Sequence, residues 1–137
     1  MQQFLQNNLI VVSIALFSGF MLFWSFFGNR IRGIREVDTS NAMNLINRSN
    51  ALVLDVREQT EYDAGHIINS RLISMSNLKE RVGELEKYRE RPIVVVCRSG
   101  ARSAPATAFL NKRGFAQVHV LSGGVTAWQK ANLPLEK

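Results

Sequence analysis

The chain holds one cysteine, Cys97, and its neighbours decide what that sulfur can do. It closes an apolar, β-branched run, Ile93-Val94-Val95-Val96, and is followed by Arg98-Ser99-Gly100-Ala101-Arg102 and then Ser103-Ala104-Pro105. A lone cysteine at the end of an apolar strand is ordinarily a small buried hydrophobe. Arginines at its first and fifth followers and a glycine at its third serve no purpose in that role. Gly100 suits a loop whose backbone turns inward with positive φ, and Pro105 suits the first turn of a helix. The pattern predicts a strand that delivers a sulfur to a glycine-containing loop at the start of a helix. Loop amides and the positive end of the helix dipole then surround the sulfur, favour thiolate over thiol, and can hold an anionic group attached to it. The chemistry expected is that of a nucleophilic thiolate.

The elements that position this loop read as alternating strands and helices from about Ile34 to Lys137, the pattern of an α/β layer fold with one compact core. Glu36-Val37-Asp38 reads as a first strand, followed by a helix capped by Thr39 or Ser40, with Ala42, Met43, Leu45 and Ile46 on one face. Ala51-Leu52-Val53-Leu54 is a buried strand ending at Asp55. Gln59 to Ala64 is a short helix stopped by Gly65, and Ile67-Ile68 with Leu72-Ile73 bracket a short extended segment. Asn77 to Lys87 is an amphipathic helix weakened by Gly83. Ser103 to Arg113 is a helix closed by Gly114. Val118-His119-Val120-Leu121 is the last expected strand, and Ser122-Gly123-Gly124 turns into a terminal helix that runs through Trp128 and ends by Pro134. Ligands of parallel α/β sheets bind beyond the carboxyl ends of strands, where Cys97 falls.

The first residues differ in kind. No charged side chain occurs from Gln2 to Asn29, and Leu9 to Phe27 is almost wholly apolar. As a helix this stretch is about 28 Å long, near the ~30 Å thickness of a bilayer core, and Phe23, Trp24, Phe26 and Phe27 crowd its far end as interfacial aromatics do. A secretory leader is the competing reading, but Gln2, Gln3, Gln6, Asn7 and Asn8 replace its basic start, and no small-residue cleavage site follows. The expected organisation is a transmembrane anchor over 1–29, a basic juxtamembrane linker over 30–35 and an α/β domain over 36–137. Arg30, Arg32 and Arg35 follow the span, which places the domain on the cytoplasmic side of the inner membrane. An unpaired cysteine agrees with a reducing compartment. The formal charge of +6 lies after the span. With the juxtamembrane arginines set aside, the domain is mildly basic, and no basic helix stripe interleaved with aromatics indicates nucleic acid as a partner. The juxtamembrane arginines are expected to face lipid headgroups.

Four ordered motifs carry a family resemblance: Leu54-Asp55-Val56-Arg57, Tyr62-Asp63-Ala64-Gly65-His66-Ile67, Val96-Cys97-Arg98-Ser99-Gly100-Ala101-Arg102-Ser103, and Leu121-Ser122-Gly123-Gly124 with Trp128. In these the chain resembles the rhodanese (sulfurtransferase) family, in its single-domain membrane-bound form, from Val37 to Pro134. The resemblance implies a three-layer sandwich around a central, mostly parallel sheet. It implies attack of the Cys97 thiolate on a sulfane donor such as thiosulfate, departure of sulfite, and passage of the outer sulfur to a thiophilic acceptor. Arg98, Ser99, Gly100, Ala101, Arg102 and Ser103 are the expected substrate loop, with the arginines as candidates for the donor's oxygens. With no second cysteine the acceptor is an external thiol or protein. No cofactor is expected, and two histidines and one cysteine at these spacings match no metal site.

Other landmarks have blander expected roles. Asp55 and Arg57 hold loops. Glu61 is by default an exposed helix charge, with pairing to a nearby arginine as the alternative. His66 packs a turn, His119 lies mid-strand as a core or surface residue, and Trp128 anchors the last helix. Two functions compete with sulfur transfer. A cysteine phosphatase places its arginine six residues after the cysteine, whereas here Arg102 is fifth and Ser103 sixth. A membrane-tethered adaptor that uses the same fold without sulfur transfer is the alternative of another class.

Overall fold

The computed structural model describes residues 1–31 and 34–137, apart from the side chains of residues 26–31. Two compact units result, Met1–Gly33 and Ile34–Lys137. The first holds helices α1 (Gln2–Asn7) and α2 (Leu9–Ile31). Among the described residues no helix is long and apolar enough to cross a membrane. The expected transmembrane span therefore gains no support from the structure. Its far end at Phe26 and Phe27 and the arginines Arg30 and Arg32 lie outside the described side chains. The apolar side chains of α2 that are described, from Leu9 to Trp24, are largely exposed.

The second unit is built on a parallel sheet of five strands: β1 (Arg35–Val37), β2 (Leu52–Asp55), β4 (Arg71–Leu72), β5 (Pro92–Val96) and β6 (Gln117–Leu121). Their spatial order is β1-β6-β5-β2-β4, with Asp55 level with Val96 and Val95 level with Val120. Helices connect them: α3 (Thr39–Ser49), α4 (Gln59–Ala64), α5 (Leu78–Arg81) and its 3₁₀ continuation Val82–Tyr88, and α6 (Ser103–Lys112). Helix α7 (Gly124–Lys130) then follows β6. Side-chain alternation along the strands sorts two cores. Leu52, Leu54, Ile93, Val95 and Cys97 pack with Leu78, Leu85, Ala106 and Leu110 on one face. Val53, Val94 and Val96 pack with Ala42 and Trp128 on the other. Helices thus cover both faces of a buried sheet, the three-layer arrangement expected, and explain why β2 and β5 are buried along their whole length.

Several boundaries differ from the sequence reading for local reasons. Strand β1 starts at Arg35, one residue earlier than expected, and Asp38 leaves the strand to cap α3, its carboxylate accepting from the Asn41 amide at 2.8 Å. The predicted helix 77–87 is only one α-turn before it tightens into 3₁₀ geometry from Val82, beside the helix-weakening Gly83. The chain also forms two strands outside the main sheet, β3 (His66–Ile67) and β7 (Leu135–Glu136), paired antiparallel. β6 is therefore not the last strand.

Asp55, fully buried at the end of β2, and Arg57, only 5 % exposed, form one internal ion pair. Both Asp55 oxygens accept from Arg57 Nε at 3.0 Å, Oδ2 also from Nη2 at 2.8 Å, and Nη2 donates on to the Gly65 carbonyl at 2.8 Å. The pair ties the end of β2 to the end of α4, the loop-holding role expected of it. Asp55→Asn strands a buried guanidinium and is expected to cost about 3 kcal/mol or more, measured as a lower urea midpoint with unchanged m-value. An unaltered midpoint would remove the pair from the list of structural supports.

Candidate active site

Cys97 follows β5 directly and is 1 % exposed. The loop turns back over it at Gly100, whose φ of +108° is a conformation side-chain-bearing residues rarely adopt. That turn aims the Gly100 amide at the sulfur, N to Sγ 2.9 Å. Helix α6 begins at Ser103 with Pro105 in its first turn, as the sequence predicted. Burial alone pushes the Cys97 thiol up. The Ser103 hydroxyl and the amides of Ser103, Arg102 and Gly100 outweigh it, so the thiol lies below its ordinary value. The Ser103 hydroxyl is itself buried and makes no hydrogen bond of good geometry in the resting site. It can rotate toward the sulfur when charge appears there.

A second wall braces the loop. The Cys97 carbonyl accepts from the Val125 amide at 2.8 Å, and the Arg98 carbonyl accepts from the Thr126 amide at 3.1 Å and the Thr126 hydroxyl at 3.0 Å. This contact exists because position 124 lacks a side chain. A Cβ on Gly124 would lie 2.2 Å from the Cys97 carbonyl oxygen, on a backbone with φ of +55°. Sequence reasoning read Ser122-Gly123-Gly124 as a turn and missed its function as the seat of the cysteine loop. Two consecutive glycines at the carboxyl end of the neighbouring strand were the available signal.

The two loop arginines, expected to act alike, do not. Arg102 is committed to Glu61: Nη1 to Oε1 is 2.7 Å and Nη2 to Oε2 2.9 Å. Chiefly through that contact the Glu61 carboxyl is held down to about 2, so the pair stays ionised over the working pH range. Glu61 thus takes the role the sequence reading ranked second. Arg98 is exposed and its guanidinium has no hydrogen-bond or ion-pair partner among the described residues. It stands on an open cleft of about 430 Å³ with Arg57, Glu61, Gly65, Thr126 and Leu135 on its walls. Cys97 lies beneath this surface rather than in its wall. Ser99 and Ala101 are exposed on the loop. The remaining landmarks stand apart. His66 stacks on Tyr62 at 3.7 Å between ring centres, donates from Nδ1 to the Tyr62 carbonyl and faces Glu136. His119 is half-buried on β6, its ionisation disfavoured by burial and by Arg35. Trp128 is buried, its indole N–H donating to the Pro134 carbonyl. Among the described residues no group of His, Cys, Asp or Glu can hold a metal ion.

The comparisons with known proteins agree with this architecture. The family model for the rhodanese-like domain matches residues 38–131. The chain belongs to the rhodanese family. YibN of Escherichia coli (strain K12) is 40% identical over 103 residues, 74% of this chain and 72% of YibN. The thiosulfate sulfurtransferase GlpE of Pseudoalteromonas translucida (strain TAC 125) is 31% identical over 97 residues, 71% of this chain and 90% of GlpE. Among solved structures, the rhodanese-related protein of Thermoplasma volcanium superposes with a TM-score of 0.68 at 33% identity, covering 74% of this chain and 97% of that one. The thiosulfate sulfurtransferase of Pseudomonas aeruginosa superposes with a TM-score of 0.67 at 25% identity, covering 76% of this chain and 19% of that one. Homology to named sulfurtransferases supports a sulfurtransferase role for this rhodanese in general terms.

If the Ser103 hydroxyl stabilises the thiolate, removing it raises the pH at which Cys97 ionises. A hydrogen bond to a charged group is worth ~1.5–3 kcal/mol, so Ser103→Ala is expected to move the midpoint of iodoacetamide alkylation to higher pH. The rate at neutral pH then falls. A midpoint that stayed in place would assign the thiolate's stability to the amides alone.

Proposed function

We propose that this rhodanese transfers sulfane sulfur through a persulfide on Cys97. The observation that carries the reading is the short contact from the Gly100 amide to a buried sulfur whose surroundings favour the thiolate. The thiolate attacks the outer sulfur of a donor R–S–S⁻ or thiosulfate and forms a new S–S bond. The donor's own S–S bond breaks, and the electron pair leaves on the thiol fragment or on sulfite. The terminal sulfur of the resulting persulfide is anionic, and the amides from Gly100 to Ser103 are suited to hold it. A thiophilic acceptor then takes that outer sulfur and returns Cys97 to the thiolate. Since Arg102 is neutralised by Glu61, Arg98 is the group that meets the donor's oxygens. The name thiosulfate sulfurtransferase carried by GlpE relatives supports thiosulfate as a donor.

The reading extends to place. The exposed apolar face of α2, together with Arg30, Arg32 and Arg35 after it, supports attachment to the inner membrane with the rhodanese domain on the cytoplasmic side.

Two measurements test these readings. Intact-mass spectrometry of the full chain after thiosulfate treatment is expected to show a gain of about 32 Da, one sulfur. Cyanide reverses the gain with release of thiocyanate, and Cys97→Ser never shows it. No adduct from thiosulfate or from a small-molecule persulfide would leave the adaptor reading ahead. In cell fractionation the chain is expected to stay with membranes through alkaline carbonate washing. Release into the wash would sink the attachment.

A further inference from the structure

Every strand of the main sheet runs the same way, so the domain has a chemical end, where Cys97 and Gly124 meet, and an opposite end where the strands begin. Basic residues collect at that second end. Arg35 opens β1, and Arg48 lies in the last turn of α3. Arg91, just before β5, donates to the Asn50 carbonyl at the end of α3. Lys112 and Arg113 finish α6, and the Arg113 carbonyl accepts from Arg89. Lys87 completes the group beside Tyr88. Of the seventeen lysines and arginines in the chain, Arg30 and Arg32 precede the domain, leaving fifteen. With Arg71, which opens β4 and pairs with Glu84, eight lie at this end with three of the eleven acidic residues, Glu84, Glu86 and Glu90. Elsewhere the domain carries seven basic against eight acidic residues, a near balance. The whole positive charge of the domain is therefore a property of one end.

Its side chains are held in a particular way. The Arg89 guanidinium lies 4.9 Å over the Phe115 ring, Arg91 4.8 Å over Tyr88 and Arg113 5.0 Å over Phe109. An aromatic face orients a cation without neutralising it. Arg89 pairs with Glu86, whose carboxylate also feels the charge of Arg113, while Arg91 is held by the Asn50 carbonyl and the Tyr88 ring. The result is a preordered, net positive face. Among the described residues the rings at this face, Tyr88, Phe109 and Phe115, each already carry an arginine against them. That favours phosphate headgroups over single-stranded nucleic acid, which needs rings as stacking platforms. The first strand of the domain, β1, also starts at this end.

We propose that the strand-start end of the domain is a docking face for anionic lipid headgroups, seating the domain with Cys97 directed away from the bilayer. This rests on the membrane attachment proposed above. Attraction of basic groups to anionic leaflets depends on proximity and fades with salt, which gives the test its form.

The full chain is reconstituted into nanodiscs of phosphatidylcholine alone, or of phosphatidylcholine with phosphatidylglycerol, and its lysines are acetylated and mapped by mass spectrometry. Lys87 and Lys112 are expected to react at least about threefold more slowly in the anionic discs, and high salt abolishes the difference. Lys79 and Lys130 serve as exposed controls and are expected not to change. The double variant Lys112→Glu with Arg113→Glu, folded by circular dichroism, is expected to lose the protection of Lys87. Equal reactivity of Lys87 and Lys112 in both discs, with the chain bound to them, overturns the docking face alone. A chain that never co-elutes with discs overturns the attachment and the docking face together. Protection by an RNA oligonucleotide but not by phosphatidylglycerol overturns the assignment to lipid.

Discussion

A buried sulfur whose surroundings favour the thiolate is the constraint around which this end of the domain is arranged. Desolvation opposes the thiolate, and only donors aimed at the sulfur in advance reverse that penalty. The sheet supplies the position, a strand end at the carboxyl edge. The positive φ of Gly100 supplies the first donor, and the start of α6 supplies the others. None of these holds unless the loop is kept in its turn. The amides of Val125 and Thr126, packed close through Gly124, keep it there.

Charge at this end is apportioned pair by pair. Arg57 is spent on Asp55 inside the protein and Arg102 on Glu61 at its surface, so neither adds a free cation to the cleft. Arg98 remains. A site built this way holds an anion chiefly through backbone N–H groups, which are neutral and fixed in direction, with the exposed Arg98 at the mouth. Such a cradle distinguishes the anionic and neutral forms of one bound sulfur without attracting every multiply charged solute nearby. The opposite end of the sheet uses arginine differently, laid on aromatic rings and net positive even with Arg89 paired to Glu86.

Much of this was legible before any coordinates. Alternating strands and helices fixed the fold class. The strand, glycine turn and helix start around Cys97 were also legible, because residue type and sequence spacing act over a few residues. What failed to show was reach. Glu61 and Arg102 are forty-one positions apart, and nothing local distinguishes a surface glutamate from one that locks an active-site arginine. The paired strands β3 and β7 are two residues each and carry no period. Asp38 was read as the end of a strand although its side chain caps the helix that follows, a competition between two local roles that backbone direction decides. The basic end was invisible for a simpler reason. Its members come from separate elements, and only the topology gathers them.

The bracing of the cysteine loop also sets an order of events during synthesis. Cys97 leaves the ribosome well before Thr126, whose amide and hydroxyl both hold the Arg98 carbonyl twenty-eight positions back. Strand β1, though made early, finds its neighbour β6 only near the end. For that interval the nascent domain displays a thiol without its cradle. A thiol lacking those donors is less ionised and so slower to react. Nucleophilic character is therefore switched on by completion of the fold, and a chain cut short before α7 carries the sulfur without the means to use it.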